Sequence, residues 1–384
     1  MAVVVVLTSA ACGEGSAGSG SSVGAPTRAF DVPVGLGTAG PIAAGDDWLV
    51  GVVVEPFSIE KSSTVATIHL ASEKVVSIGG PLDEQGTPVA LSGLVADGDR
   101  FVGVGDLCVP PGGGEGCQGD RVLVELDPAT ETWTVDRFPA PIVGPIDGAF
   151  VVDSDLVLVE SDGRRVRVTR QGSEGWRSVA EMDTAARTVP CVGGGSLWLF
   201  VRTSGAGSVD GEREASALDT ADSLTRVDLE GGGIESVDLP EIASYFGGVT
   251  TSFGCDGRGP VVATTPPGEV PPPESDRREV EAALTGLQVF SLADGGWRQD
   301  RVNAISGATI SDQIVSGERA LLLAAELDRS GVNHPIAVVL GEKSDEEVPR
   351  DGTDTYLWRG TGGDLIRMFD AGERREAELI EVGS

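Results

Sequence analysis

Paired aspartates are the most abundant chemical resource in this sequence. Asp46 and Asp47, Asp97 and Asp99, and Asp153 and Asp155 each stand beside a short apolar run. Two carboxylates at a suitable separation can hydrolyse a glycoside or hold calcium. Aspartate is also ordinary turn chemistry, because its carboxylate caps its own turn. The turn reading is the stronger one, and the six acids stand as candidates only. Of the two histidines, His69 lies in the alternating stretch Ala66 to Leu70 and reads as a strand residue. His334 precedes Pro335 and reads as a solvated turn residue. No serine sits in a G-x-S-x-G elbow, and nothing resembles a phosphate loop, a dinucleotide fingerprint or an EF-hand. No catalytic residue, metal ligand set or cofactor is assigned on this basis.

Five cysteines are present. Cys12 follows the apolar run Val3 to Leu7 and the small residues Ser9, Ala10 and Ala11. That run is too short to span a bilayer as a helix and has the size of a signal-peptide core. Small residues directly before a cysteine resemble the bacterial lipoprotein signal, which implies acylation of Cys12. A buried strand over Val3 to Leu7 is the alternative. Gly13 to Gly24 is almost wholly Gly, Ser and Ala, the composition of a flexible tether. The expected organisation is a signal segment over 1–11, a tether over 12–26 and one folded domain over 27–384.

Four cysteines remain, an even number that outside the cytosol suggests two disulfides, with three pairings open. Cys108 and Cys117 flank a Pro/Gly-rich stretch that a bridge would staple. Zinc is the poorer reading, since neither pair has two-residue spacing and no histidine lies near.

Composition excludes several functions. The 384 residues carry 60 acids against 28 bases, a formal charge of −32, and only three bases are lysine (Lys61, Lys74 and Lys343). Nucleic acids and anionic membrane surfaces both attract a basic field, so neither is an expected partner, and membrane contact is expected through a lipid anchor alone. Two histidines cannot build a His-rich metal centre. A 40% hydrophobic content supports a packed core.

The elements that would position these residues are short valine-rich strands separated by Gly, Asp and Pro, with no long stretch at helical spacing. They recur. A Gly or Asp turn followed by a buried strand starts near Trp48, Phe101, Leu156, Leu197, Val261, Ala320 and Leu365, a spacing of about 53 residues. A strand, a polar turn and a further strand follow, often with tryptophan just after the turn: Trp133, Trp176 and Trp297. This resembles kelch-like and related β-propellers, over roughly residues 27 to 384. The resemblance implies an all-β fold of seven four-stranded blades, with six or eight as alternatives. Ala29 to Pro33 would be the outer strand that completes the last, C-terminal blade, which removes an exposed edge. Cys191 and Cys255 then fall on inner strands of consecutive blades, within reach of a bridge.

Three stretches break the repeat: Cys108 to Cys117, Thr203 to Ser223 and Thr264 to Gly286, the last with a short helix expected from Ser275 to Leu284. Long loops on a rigid scaffold are where binding is usually placed. The expectation is a monomeric, non-catalytic envelope lipoprotein that holds a protein or glycan partner on one propeller face. The alternative is a glycan hydrolase or lyase using carboxylates at the channel mouth.

Overall fold

Each repeat becomes a four-stranded antiparallel sheet in the computed structural model. The structure describes residues 28–33, 35–36, 41–53, 64–108, 120–138, 144–162, 164–172, 175–183, 187–202, 223–240, 252–264, 287–293, 295–302, 308–315, 321–327, 333–339, 346–347, 355–361, 364–371 and 374–381. The signal and tether segments with Cys12, the Cys117 side of the first insertion, and most of the other two insertions lie outside these residues, as does the expected helix.

Numbered from the channel outward, blade 1 is β2 (Ile42–Ala44), β3 (Trp48–Val53), β4 (Thr64–His69) and β5 (Lys74–Gly79). Blade 2 is β6 (Val89–Asp97), β7 (Arg100–Leu107), β8 (Arg121–Asp127) and β9 (Thr132–Arg137). Blade 3 is β10 (Ile146–Val152), β11 (Asp155–Ser161), β12 (Arg165–Gly172) and β13 (Gly175–Asp183). Blade 4 is β14 (Arg187–Gly193), β15 (Ser196–Arg202), β16 (Ser223–Val227) and β17 (Ile234–Val237). Blade 5 is β18 (Ser252–Asp256), β19 (Gly259–Thr264), β20 (Leu287–Ala293) and β21 (Gly296–Val302). Blade 6 is β22 (Ala308–Val315), β23 (Leu321–Leu327), β24 (Asn333–Val339) and β25 (Glu346–Glu347). Blade 7 joins β26 (Thr355–Thr361), β27 (Asp364–Ala371) and β28 (Arg374–Glu381) to the N-terminal β1 (Arg28–Val32).

The innermost strands meet in order around the ring, and β2 meets β26 to close it. The chain is a seven-bladed β-propeller. The recurring turn-and-strand phrase is the second strand of every blade. That strand is packed on both faces, so it reads as a continuous apolar run: in β11, Leu156 to Val159 are all buried. The outermost strands β5 and β9 are mostly exposed.

The apolar core lies between blades. Phe30, Val32, Met368 and Ala377 of blade 7 pack with Ile42, Leu49 and Ile68 of blade 1. Val50 and Val65 of blade 1 pack with Phe101 and Leu126 of blade 2. Similar clusters join blades 2 and 3, 3 and 4, and 4 and 5. The tryptophan after the turn also has its reason here. Trp133 Nε1 donates to the Gly79 carbonyl of the preceding blade at 3.1 Å. Trp297 does the same to Asp238 at 2.6 Å. Trp176 packs against Phe138 with ring centroids 4.7 Å apart. The repeated indole is a rim latch from one blade to the one before it.

Cys191 on β14 and Cys255 on β18 form the expected disulfide, with Cα atoms 5.7 Å apart. Phe200 and Phe253 stack at 4.9 Å across the same blade interface. Cys108 follows β7, and Cys117, its expected partner, lies outside the described residues. One expectation is corrected: His334 lies within strand β24, opposite Glu326, and not in a turn. Proline at 335 misled the reading, since it cannot donate to a ladder. Among the described residues β25 pairs only with Val338 and Val339, so Pro335 needs no donor on its outer side.

The disulfide closes a loop of 64 residues. Its removal in the Cys191→Ala/Cys255→Ala double variant is expected to lower unfolding free energy by up to about 4 kcal/mol, from unfolded-state loop entropy. Denaturant midpoints at fixed m-value check this, and an unchanged midpoint would show that the phenylalanine stack and turn contacts alone hold blades 4 and 5.

Candidate functional site

The strand order gives the propeller two unlike faces. The connections between strands one and two of every blade, and between three and four of blades 1 to 6, turn at one face. The connections from strand two to three, and from one blade to the next, leave at the other. The six candidate aspartates all fall on the hairpin face. The three long insertions all join the second and third strands of their blades, and so begin and end on the connection face.

On the hairpin face, Asp46, Asp47, Asp99 and Asp153 occupy turns, while Asp97 ends β6 and Asp155 begins β11. Their carboxylates have structural work. Asp99 Oδ1 accepts the Asp47 backbone N–H at 3.0 Å, tying the turns of blades 1 and 2 together. Asp155 Oδ2 accepts from Arg170 Nε at 2.7 Å, and Asp153 lies 3.8 Å from the same guanidinium. Asp153 and Ser154 both have positive φ, as a two-residue hairpin that follows the strand twist requires. The turns also crowd one another. A Cβ on Gly45 would overlap the Gly98 carbonyl, and one on Gly194 would overlap that of Arg258. Gly194 N–H donates to the Gly257 carbonyl at 3.1 Å.

His69 is also a structural residue. Its Nδ1 accepts the Ser72 backbone N–H at 3.1 Å, and its ring meets Trp48 edge-on at 4.8 Å. Among the described residues no three His, Cys, Asp or Glu side chains are grouped to hold a metal ion.

Four turn aspartates titrate below the ordinary carboxylate range. The backbone N–H of Thr87 holds Asp83 down, the Thr130 hydroxyl holds Asp127, and the N–H groups of Arg165 and Glu230 hold Asp162 and Asp228. A lowered value keeps the carboxylate ionised, which suits a turn cap and does not suit a general acid.

The connection face is built differently. Between β5 and β6 the chain forms a small braced hairpin. Leu82 bridges Pro88, Asp83 N–H donates to the Thr87 carbonyl at 3.0 Å, and Gly86 N–H donates to that of Asp83 at 2.9 Å. Asp83 Oδ1 accepts from Gln85 and Thr87 N–H at 2.9 and 2.7 Å. Cys108 N–H donates to the Pro88 carbonyl at 2.7 Å, so the hairpin is fastened to the root of the first insertion. Leu82 stands 55% exposed at this hairpin.

A buried ion cluster joins blades 2 and 3 toward the same face. Glu160, at the connection-face end of β11, is fully buried. Its Oε1 accepts from Arg121 Nη1 at 2.6 Å and its Oε2 from Arg167 Nε at 3.0 Å. Arg121 also reaches the Gly144 carbonyl at 3.0 Å and Asp106 at 3.3 Å. Glu160, Arg121 and Arg167 are buried and the partly exposed Asp106 supplies a second negative charge, so two acids balance two guanidiniums, which makes the burial tolerable. Sequence reasoning missed this cluster. The signal was there: Glu160 directly follows four buried apolar residues of a doubly packed strand, where a charge must find a partner.

No protein-family model matches this sequence, and no curated protein matches it. Solved structures share the fold. A polysaccharide lyase, Uly1, superposes with a TM-score of 0.53 at 11% identity, over 89% of this chain and 90% of that one. The β-propeller domain of the Trilobed protease from Pyrococcus furiosus superposes at 0.54 and 8% identity, over 94% and 95%. The acylaminoacyl peptidase of Pyrococcus horikoshii gives 0.53 at 12%, and the match spans about half of that protein (51%). At these identities the likeness is one of fold.

Two expectations follow. Glu160→Gln leaves two buried guanidiniums short of their counter-charge and should cost about 3–5 kcal/mol, whereas Asp155→Asn, at a partly buried pair whose Arg170 keeps Asp153 within 3.8 Å, should cost less, about 1–2 kcal/mol. Urea denaturation of both variants measures the contrast. The lowered aspartates add stability above about pH 4, lost as pH falls through their folded values. Melting curves of the parent and of an Asp83→Asn/Asp127→Asn/Asp162→Asn/Asp228→Asn variant should therefore differ at neutral pH and converge in acid, as the pH falls through those lowered values.

Proposed function

We propose that this chain is an envelope lipoprotein, anchored through Cys12, whose kelch-like propeller is a non-catalytic, monomeric scaffold for a protein or glycan partner. The partner is held on the connection face. One observation carries the reading: a backbone-braced hairpin holds Leu82 outward there. An exposed leucine on a preorganised turn lowers the ordering cost of binding, and so suits a contact surface. The hairpin face supports the alternative, a glycan hydrolase or lyase, through its carboxylates on three consecutive blades. Those carboxylates with a named partner are spent on turns and on Arg170.

The test uses the purified full chain with a photo-crosslinker at Gln85 and with a panel of envelope glycans. A crosslinked protein or a retained glycan is expected, with binding about tenfold weaker for Leu82→Glu, the loss of one modest hot spot. Asp46→Asn and Asp153→Asn should bind as the parent does. New reducing ends or unsaturated sugars, abolished by the aspartate variants, would replace this reading with the alternative.

A further inference from the structure

Three innermost strands carry one residue more than the strands beside them, at one height in the ring. In β6, Leu91 pairs with Gly105 and Gly93 with Val104, which leaves Ser92 with no residue opposite. In β10, Ile146 pairs with Glu160 and Gly148 with Val159, which leaves Asp147. In β26, Thr355 pairs with Phe369 and Leu357 with Met368, which leaves Tyr356. The hairpins of these blades open with the pairs Asp97 and Arg100, Val152 and Asp155, and Thr361 and Asp364, and each extra residue follows the fifth pair. In β14 the ladder passes that height unbroken, with Val189 opposite Phe200 and Thr188 opposite Val201. The ring itself therefore does not demand the extra residue. Blade 6 has its irregularity nearer the hairpin face, opposite Leu323.

A bulge re-aims a side chain. Around Ser92 the strand alternates between its neighbours: Leu91 packs toward blade 1, and a Cβ on Gly93 would point at Ala149 of blade 3. Around Asp147 the same holds: Ile146 packs toward blade 2, and a Cβ on Gly148 would overlap Pro190 of blade 4. Ser92 and Asp147 fall out of that alternation, and each is the one exposed residue of its strand. No strand lies on the inner edge of β6 or β10, so the water that reaches these side chains is that of the central channel. Ser92 Oγ donates to the Val104 carbonyl at 3.1 Å, which repairs the ladder and keeps its lone pairs as acceptors. Tyr356 holds the same register position in blade 7, which meets blade 1 on the other side. Beyond this height the second strands run only two or three residues further, so the three positions lie at most about 10 Å below the connection-face mouth.

We propose that these positions form a saccharide subsite: the end of an uncharged glycan enters the channel from the connection face and is held by Ser92, Asp147 and Tyr356. This rests on the connection-face reading and chooses its glycan side. A few convergent polar groups on mostly apolar walls are how concave sites fix a ligand. Carboxylate and hydroxyl oxygens accept from sugar hydroxyls, and tyrosine brings a phenol and an apolar ring. Charge narrows the class, because a chain at −32 repels acidic sugars. An extended peptide would need one strand edge along its length, whereas the channel offers one short edge from each of seven blades.

Saturation-transfer NMR and calorimetry on the purified full chain test the site, with maltotetraose, cellotetraose, mannotetraose and chitotetraose as probes and tetragalacturonate as the acidic contrast. At least one uncharged sugar is expected to bind, and tetragalacturonate is not. Asp147→Asn and Tyr356→Ala should each weaken that binding about tenfold, the loss of one modest contact, while Asp46→Asn on the hairpin face binds as the parent does. Near-ultraviolet dichroism checks the fold of every variant, and two variants on separate blades keep the test decisive if one of them unfolds. Binding unmoved by both channel variants but lost with Leu82→Glu overturns the channel subsite and leaves the connection-face reading standing. Failure of all four uncharged sugars, or equal binding of tetragalacturonate, also overturns the subsite. A protein crosslinked at Gln85 would then still support the connection-face reading, and its absence would remove both.

Discussion

A four-stranded sheet that is apolar on both faces cannot stand alone. Among the described residues, blades 1 to 4 each bury apolar side chains against the blade before and the blade after, so none of them has a core until its neighbours are in place. The first and last blades would then expose one face each, unless the ring closes. Closure is why a strand from one end of the chain completes a sheet from the other. Phe30 and Val32 of β1, with Met368 and Ala377, supply the blade 7 side of the interface with blade 1. Hydrogen bonding along β1 and β28 aligns those side chains in register.

The blade interfaces share a plan and differ in their cement. Blades 4 and 5 add a disulfide and a phenylalanine stack to the apolar cluster. Blades 2 and 3 add Glu160 between two arginines. These additions act differently. The disulfide restricts the unfolded chain and tolerates imperfect packing around it. The ion cluster demands geometry: it is tolerable only if each charge meets its partner, so it favours one alignment of blade 2 on blade 3. It lies toward the connection-face ends of its strands, the face on which Cys108 and Pro88 are joined.

The architecture was legible because it is periodic. Seven copies of one phrase mark seven second strands, and the tryptophans mark outer strands. The pairing of Cys191 with Cys255 followed from equal offsets in consecutive copies. The candidate site was legible only in part. Aspartates beside the phrase were correctly placed in or beside turns, yet their partners, such as the Asp47 N–H and Arg170, come from other strands and other blades. Glu160, Arg121 and Arg167 lie 39 and 7 residues apart in pairs, and no local pattern links the first two. His334 went astray because a proline was taken as a turn marker where it sits beside a short outer strand.

The two faces also differ in their freedom to change. On the hairpin face the turns of adjacent blades touch backbone to backbone. Gly45 meets the Gly98 carbonyl, and Gly194 meets that of Arg258, so even a methyl group is excluded. A longer hairpin there would push neighbouring blades apart and strain every interface around the ring. The connection face has close contacts of its own, since a Cβ on Gly144 would overlap the Ser161 carbonyl, but it also carries the longer segments, and lengthening one of these costs only slowly growing loop entropy. Insertions of very different length therefore gather on that face for a geometrical reason, before any selection for binding. Once there, they lie on the surface where a new contact can arise without disturbing the ring, opposite the edge at which the N-terminal strand enters.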